Sequence, residues 1–337
     1  MLPYIDLHCD TLYKLSSSPE LFFAHHTPPA SHVFYNGLCS AGALVQCFAC
    51  FTDLDEVSPA GSDSCLQTQY TCFSQILSAS GGQLTHIRTS AELADCIRAR
   101  RIGALLTLEE GCLSETPAAL LPRIFSMGVR IATLTWDYST LLGTSAANLP
   151  VPAAVNRFRA PVPDSASSCR GLTKQGLEFV SEAERLGIIL DVSHLSDEGF
   201  RDLAAHSKRP FLASHSNARS VCNVPRNLSD SMLRTLADRG GLAGLCLHEP
   251  FLFPSFSTPE NVAEALTAHV KHIRSVAGSE ILALGTDFDG TPGNRFIPDV
   301  SYLPRLETVL KKAGFSSDEI EKVFYKNALR FLMENLP

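Results

Sequence analysis

Short apolar runs alternate along the chain with longer segments in which apolar positions recur at the spacing of a helix. The short runs are rich in Leu, Ile, Val and Ala at successive positions. Such runs are typical of strands in a parallel sheet that helices cover on the outside. The pattern predicts eight strands, at residues 4–9, 43–50, 103–108, 129–135, 187–193, 210–214, 242–247 and 281–286.

The segments between these runs carry helix signals. Pro117 stands just inside one predicted helix and Gly128 just past its end, which are the positions that each residue type favours. The pattern predicts helices at residues 64–78, 90–99, 116–127, 173–185, 196–206, 229–238, 258–277, 302–313 and 316–336.

Strands that alternate with helices in this way predict the α/β class, and eight of them predict a (β/α)8 TIM barrel. The length of 337 residues suits a single barrel domain over 1–337 with loop insertions. An open doubly wound sheet is the alternative, but no G-x-G-x-x-G motif follows a predicted strand. Two segments, 15–36 and 137–171, are predicted to be loops, and the second is expected to be an active-site loop insertion.

Composition narrows the range of partners. The net charge is −7 and no block of Lys and Arg stands out, so we expect no nucleic-acid partner. The chain has no apolar run long enough to cross a membrane and no leader at its start, so we expect a cytoplasmic protein without a membrane partner. The C-x-x-C pair Cys47 and Cys50 is expected to be buried free thiols rather than a redox or zinc pair.

Metal-ligating side chains follow five of the predicted strands. In a barrel, the loops after the carboxyl ends of the strands build the active site, so these side chains would meet at one rim. Imidazole and carboxylate ligands without thiolate are typical of Zn²⁺, and also of Mn²⁺ or Fe²⁺. Their number favours two metal ions over one. The candidates are His8, Asp10, Glu109, Glu110, His194, His215, Asp287 and Asp289.

The motifs around these residues resemble a known family. HCDT, LTLEEG, DVSHLSD, ASHSNARSVCNVPRN and GTDFDG occur in an order that resembles the membrane (renal-type) dipeptidases, and in particular their cytoplasmic bacterial members. These are metallopeptidases within the amidohydrolase superfamily. The resemblance implies a zinc-dependent dipeptidase in which a hydroxide between two Zn²⁺ ions attacks the amide bond of a dipeptide, with Mn²⁺ as another possible metal and a homodimer as a possible assembly.

The resemblance also implies roles for individual residues. His8 and Asp10 would bind the first zinc ion, Glu109 would bridge both ions, and His194 and His215 would bind the second. Asp287 would act as the acid and base beside the bridging water, with Glu109 as the other catalytic carboxylate. Arg226 would bind the terminal carboxylate of the substrate.

Several assignments stay open in the sequence. The family pattern Glu-Gly-Gly reads Glu109-Glu110-Gly111 here, and we favour Glu109 over Glu110 because adjacent strand residues face opposite sides. Trp136 replaces a family histidine and is predicted, with Asn217, to contact the substrate. The replacement leaves two alternatives: another amidohydrolase acting on N-acyl amino acids or lactams, and an inactive metal-binding homologue.

Overall fold

The computed structural model describes residues 2–24, 29–57, 59–147, 171–253 and 258–337. Nine strands are present in the described residues, eight of them close to the predicted positions. They are β1 Tyr4–Asp6, β2 Ala43–Phe51, β3 Leu84–His86, β4 Ile102–Glu109, β5 Val129–Thr133, β6 Ile189–Asp191, β7 Leu212–Ala213, β8 Leu242–Leu245 and β9 Leu282–Leu284.

Helices fill the intervals between the strands. The α-helices are α1 Thr11–Lys14, α2 Tyr35–Ala41, α3 Pro59–Ala79, α4 Ser90–Arg98, α5 Pro117–Met127, α6 Lys174–Leu186, α7 Asp197–His206, α8 Asp230–Asp238, α9 Glu249–Leu252, α10 Pro259–Ala277, α11 Arg305–Lys312, α12 Ser317–Glu321 and α13 Asn327–Asn335. Short 3₁₀ helices lie at Pro19–Phe23, Ser279–Ile281 and Val300–Tyr302, and a π-helical turn at Lys322–Lys326.

Hydroxyl side chains begin many of these helices at the predicted places. Thr89, Thr173 and Ser196 each accept a hydrogen bond from a backbone N–H of the first turn, which satisfies a donor that the helix itself leaves free. Gly128 ends α5 with a φ of 101°, a left-handed conformation that favours glycine. These caps explain why the predicted helix boundaries agree with the structure to within a few residues.

All strand pairs in the sheet are parallel, and the sheet closes into a barrel. The strand order is β2-β1-β9-β8-β7-β6-β5-β4, and β2 pairs with β4 to close the ring. This confirms the predicted (β/α)8 TIM barrel. The short strand β3 pairs with the first residues of β4, whereas β5 pairs with later residues of the same strand. β3 is therefore an addition outside the ring of eight.

An apolar core fills the barrel interior. Ile5, Val45, Leu105 and Ile131 belong to one buried cluster, together with Phe331 of α13. The opposite faces of the strands pack against the surrounding helices in a second, larger cluster. The interior is thus solid below the rim, as in other barrels of this type, and chemistry is confined to the carboxyl ends of the strands.

Three parts of the structure differ from the sequence prediction. The strand β3 was not predicted, because its sequence Leu-Thr-His contains no apolar run. Part of the predicted loop 15–36 is helical, at Pro19–Phe23 and at the start of α2. The predicted helix 316–336 is divided by the π-helical turn Lys322–Lys326. The predicted loop 137–171 lies outside the described residues from 148 to 170.

The remaining general predictions concern thiols and membranes. Cys47 and Cys50 are both buried free thiols in β2, and they belong to different apolar clusters because they are an odd number of residues apart. Their side chains therefore face opposite sides of the strand. In the described part of the chain, none of the helices has the length and apolar character needed to span a bilayer.

Candidate metal and catalytic site

Backbone strain is concentrated at the rim of the barrel. Of the described residues other than glycine, five have a positive φ, and four of these lie in the loops just after barrel strands: Glu110, His194, Asp287 and Asp289, with φ of 81°, 69°, 61° and 68°. A left-handed conformation is uncommon for such residues and often marks a functional site.

Glu109 is the carboxylate that faces the centre of the rim. It continues the face of β4 that carries Leu105, which belongs to the apolar cluster inside the barrel. Its Oε2 lies 3.4 Å from His8 Nε2, and its Oε1 lies 3.0 Å from His194 Nε2 and 3.6 Å from His215 Nε2. This one carboxylate therefore contacts all three imidazoles.

Glu110 has a different environment. Its Oε1 accepts a hydrogen bond from the backbone N–H of Cys112 at 2.7 Å, and its Oε2 accepts one from that of Trp136 at 3.0 Å. Burial raises the pKa of Glu110 to about 7, although these two bonds oppose the shift. Glu110 thus ties two loops together, and the strand alternation that favours Glu109 agrees with the observed geometry.

The imidazoles of His194 and His215 are oriented by outer partners. His194 Nδ1 lies 2.7 Å from Asp137 Oδ1, and His215 Nδ1 lies 2.7 Å from Ser214 Oγ. Ser214 Oγ in turn donates to Asp191 Oδ2. Both Nε2 atoms point to a common centre, 3.0 Å from each other. Such outer hydrogen bonds are typical of metal-binding histidines, because they fix the tautomer and the ring orientation.

His8, Asp10 and Asp287 form the other side of the rim. One ligand atom of each lies within 4.8 Å of those of the other two, and His8, Glu109 and His215 form a second such group. Gly290 makes this arrangement possible. A Cβ at that position would lie 2.2 Å from Asp10 Oδ2 and 2.5 Å from Asp287 Oδ1, so only glycine lets the chain pass so close to both carboxylates.

The cluster fits a divalent metal. His8 Nε2 and Asp10 Oδ1 are buried and make no hydrogen bond within the described part of the chain. A buried polar atom without a partner is costly, and a cation removes that cost. Imidazole nitrogen and carboxylate oxygen are ligands that Zn²⁺ and Mn²⁺ accept. The donors thus match the metal chemistry that the sequence predicts.

Burial and neighbouring charges shift the pKa values of two carboxyl groups at the rim in opposite directions. Burial raises the pKa of Asp10 to about 8, with the charge of Glu109 adding to the shift and His8 opposing it. For Glu109, burial is outweighed by the charges and hydrogen bonds of His8 and His194, which hold its pKa well below the ordinary value. Glu109 is the anionic centre of the cluster, and Asp10 needs an added positive charge to ionise near neutral pH.

A cavity of about 280 Å³ opens onto this cluster. Its volume lies just below the usual range for small-molecule sites. Its lining combines the polar side chains of the cluster with aromatic side chains. The lining residues are Asp10, Tyr13, Phe51, Glu109, Trp136, Asp137, His194, His248, Phe251, Asp287, Asp289, Gly290, Thr291 and Pro292.

The predicted substrate residues have different positions. Trp136 is half-buried in the cavity wall. Arg226 is buried beside the cavity, where Nη1 donates to Ser216 Oγ at 2.9 Å and Nε makes no hydrogen bond within the described residues. Asn217 is not brought to the cavity. It is fully buried, and its amide group makes two 3.0 Å hydrogen bonds with the backbone of Cys246, so the predicted substrate contact is replaced by a structural bridge to β8.

Two residues with clear roles in this geometry were not predicted. Asp137 orients His194, and its position directly after Trp136 was the only signal in the sequence. Gly290 leaves room for the carboxylates of Asp10 and Asp287 next to each other. In the sequence, the only sign of this role is that a glycine follows Asp289. The carboxylate of Asp289 connects loops and does not face the metal cluster. It accepts hydrogen bonds from Thr11 Oγ1 at 2.6 Å and from the backbone N–H of His32 at 2.7 Å.

Comparison with known proteins gives one consistent result. A model of the membrane dipeptidase family, peptidase family M19, matches residues 1–335. Dipeptidase 3 of Mus musculus is 34% identical over 235 residues, which are 68% of this chain and 44% of that protein. The chain thus spans under half the length of that relative.

Two solved structures have the same fold over almost the whole chain. A structure described as dipeptidase AC, a metallopeptidase of family M19, has a TM-score of 0.84 at 25% identity and covers 99% of this chain and 98% of its own. A metallopeptidase from Rhodobacter sphaeroides has a TM-score of 0.83 at 24% identity, over 100% and 99% of the two chains. The second was solved with a phosphinate mimic of the dipeptide L-Ala-D-Ala.

Proposed function

The chain belongs to the membrane dipeptidase family, and we propose that it is a metal-dependent dipeptidase that binds two Zn²⁺ ions at the rim of its barrel. The observation that carries the proposal is the position of Glu109. Its two carboxylate oxygens face different imidazoles, Oε2 facing His8 and Oε1 facing His194. A carboxylate in that position can bridge two metal ions.

The metal ligands follow from this arrangement. His8 and Asp10 would hold one ion and His194 and His215 the other, with Glu109 shared between them. When bound, a pair of divalent cations supplies Lewis acidity for the substrate carbonyl and lowers the pKa of a coordinated water. Manganese is compatible with the same donors.

Asp287 would move the proton. It is buried at the rim, and its Oδ2 lies 3.7 Å from the thiol of Cys246, which leaves Oδ1 for the reaction. Burial raises the pKa of Asp287 to about 6, close to the range in which a group can both accept and release a proton at neutral pH. Asp287 Oδ1 takes the proton of the attacking water and passes it to the leaving amine.

Arg226 would bind the terminal carboxylate of the dipeptide. Its guanidinium lies beside the cavity, held by Ser216 Oγ and by the carbonyl of His215, and its Nε makes no hydrogen bond within the described residues. A planar guanidinium can donate two parallel hydrogen bonds to a carboxylate. A carboxylate clamp next to the reacting centre, in a cavity of about 280 Å³, favours dipeptides over longer chains.

The test is hydrolysis by the metal-loaded protein. We expect release of free amino acids from L-L or L-D dipeptides, about two metal ions per chain by elemental analysis, and loss of turnover in Asp287→Asn. Cleavage of N-acyl amino acids or lactams instead would identify another amidohydrolase reaction. Metal binding without turnover of any of these substrates would identify an inactive homologue, the alternative that Trp136 raised.

Three further predictions accompany this function. We propose that residues 137–171 are an active-site loop insertion within a single domain over 1–337, which is supported by Asp137 in the cavity lining. The cytoplasmic location and the homodimer stay predictions. Fractionation of cells and light scattering of the purified protein would test them.

A further inference from the structure

Two aromatic groups stand on different sides of the cavity. The first, called here the aromatic wall, consists of Phe51 at the end of β2 and Trp136 after β5, whose ring centres are 4.8 Å apart at 65°. The second consists of His248, just before α9, and Phe251, within α9, and their ring centres are 4.6 Å apart. Both groups line the cavity, so each can contact a bound substrate.

Arg226 lies with the second group and away from the aromatic wall. Its guanidinium carbon is 5.3 Å from the centre of the Phe251 ring. Arg226 belongs to the loop after β7, which is four places from β2, the strand that ends at Phe51, and two places from β5, the strand that precedes Trp136. Glu109 ends β4, which lies between β2 and β5 in the ring, so its carboxylate stands between the two strands that lead to the aromatic wall. A ligand anchored at Arg226 and crossing the cluster therefore extends toward Phe51 and Trp136.

We propose that Phe51 and Trp136 form the subsite for the side chain of the first residue of a dipeptide and select large apolar side chains there. The proposal rests on the proposed function, because the function sets the direction of the substrate. With the terminal carboxylate at Arg226 and the amide at the rim, the second residue lies near Phe251 and the first residue lies at the aromatic wall.

The composition of the wall determines the selectivity. Both rings are half-buried, so each keeps surface that a substrate side chain can cover. Two aromatic rings at an edge-to-face angle give an apolar side chain a large contact area. The wall thus favours Leu or Phe as the first residue over Gly.

The experiment compares two dipeptide series in three proteins. Xaa-Ala and Ala-Xaa peptides, with Gly, Leu, Phe or Lys as Xaa, are hydrolysed by the wild-type protein, Phe51→Ala and Phe251→Ala. We expect the wild type to prefer Phe-Ala to Gly-Ala in kcat/KM. We expect Phe51→Ala to lower that ratio by about tenfold, because the first residue loses one ring, while the ratio of Ala-Phe to Ala-Gly stays within about twofold.

Phe251→Ala is the matched control inside the same cavity. It should lower the ratio of Ala-Phe to Ala-Gly and leave the ratio for the Xaa-Ala series unchanged. Each ratio cancels any general damage to the site. The proposal is wrong if the wild type shows no preference for the first residue, if Lys-Ala is the best substrate, or if Phe51→Ala lowers both ratios equally.

A binding measurement separates this proposal from the proposed function. Trp136 is the single tryptophan of the chain, so its fluorescence reports on the aromatic wall, and a fixed zinc load keeps the contribution of nearby His194 constant. Titration of zinc-loaded Asp287→Asn with Phe-Ala should give tighter binding than with Gly-Ala, and the double variant with Phe51→Ala should lose the difference. Equal affinities would overturn the subsite. Failure of the wild type to cleave any dipeptide would overturn the function but leave this binding result informative.

Discussion

The two halves of the rim are ordered by different means. On the side of β6 and β7, Asp137 holds the outer nitrogen of His194 at 2.7 Å, and Ser214 holds that of His215 at the same distance. On the side of β1 and β9, His8 Nε2 and Asp10 Oδ1 make no hydrogen bond within the described residues. In the first half other side chains hold the outer ring nitrogens, whereas in the second half two inner ligand atoms are left for a cation, with His8 Nε2 3.3 Å from Asp10 Oδ2.

Glu109 connects the two halves. It lies 3.4 Å from His8 on one side and 3.0 Å from His194 on the other, so the charge of one carboxylate serves both. Preorganised ligands on one side and cation-dependent ligands on the other suggest unequal affinities. We therefore expect the first metal ion to bind at His194 and His215, and the second to complete the β1 and β9 side.

The largest effect is expected from Glu109→Gln, which removes the shared charge from both halves. We expect kcat/KM to fall on the order of 10³-fold and the metal content to fall below two ions per chain. Elemental analysis and dipeptide hydrolysis measure the two results. Glu110→Gln is the matched control one residue away. If Glu110→Gln lost as much metal and activity as Glu109→Gln, the claim that Glu109 is the carboxylate shared by both halves would be wrong.

A smaller effect is expected from Gly290→Ala, which acts on the β1 and β9 half alone. The new Cβ would lie 2.2 Å from Asp10 Oδ2 and 2.5 Å from Asp287 Oδ1, so both carboxylates must shift. A displacement of this kind can cost about 10²-fold in rate. We expect kcat to fall by that amount while one metal ion per chain is retained at the other half.

Gly81→Ala is the control for Gly290→Ala. Gly81 has a φ of 60° and would place its Cβ within 4 Å of no atom, so it introduces backbone strain without a clash at the site. Thermal denaturation should show the strain in Gly81→Ala, and kcat should stay at the wild-type value. A loss of both metal ions in Gly290→Ala would show that the halves are not independent.

The sequence predicted the fold and the ligands because both depend on local pattern. Apolar runs locate strands, and a barrel brings every strand end to one rim, so His8, His194 and His215 could be placed together without coordinates. Contacts between loops could not be predicted in this way. Asp137 reaches His194 across 57 positions of the chain, and Asn217 turns to Cys246 rather than to the cavity.

The same limit applies to backbone conformation. Glu110 and Asp287 adopt a positive φ although neither is glycine, and nothing in their local sequence indicates it. Glu109 is distinguished from Glu110 by strand alternation, which the sequence does supply. Alternation therefore predicts which side chain faces the centre, while the strained turn that follows it becomes visible only in the structure.

A moderate effect is expected from Ser214→Ala on the β6 and β7 half. The substitution removes the hydrogen bond that orients His215, and loss of such a partner costs about 10- to 100-fold in metal affinity. Competition with a chromophoric chelator measures the affinity. Ser193→Ala is the matched control, because Ser193 Oγ accepts from the backbone N–H of His215 at 3.2 Å and reaches the ring only through Ser214 Oγ, 3.3 Å away, so we expect a smaller loss. Equal losses would show that the ring bond to Ser214 does not order this half.

The smallest effect on the site concerns His269, which supports the β6 and β7 half from outside. Its Nδ1 accepts a hydrogen bond from the backbone N–H of Ala218, in the loop after β7, and its Nε2 lies 3.0 Å from the carbonyl of Leu252. Burial lowers the pKa of His269 to about 4, with the charge of His272 adding to the shift. This histidine is therefore neutral in the folded protein near neutral pH.

Because the unfolded state binds this proton at higher pH than the folded state, the contribution of His269 to stability is complete above about pH 6.5 and is lost as the pH falls toward 4. We expect the free energy of unfolding to drop by about 2 kcal/mol between pH 7.5 and pH 5 from this residue. Urea denaturation at the two pH values should show a smaller drop in His269→Gln than in the wild type. The exposed His206→Gln should keep the full drop, and an unchanged drop in His269→Gln would show that the β7 loop does not depend on a neutral histidine.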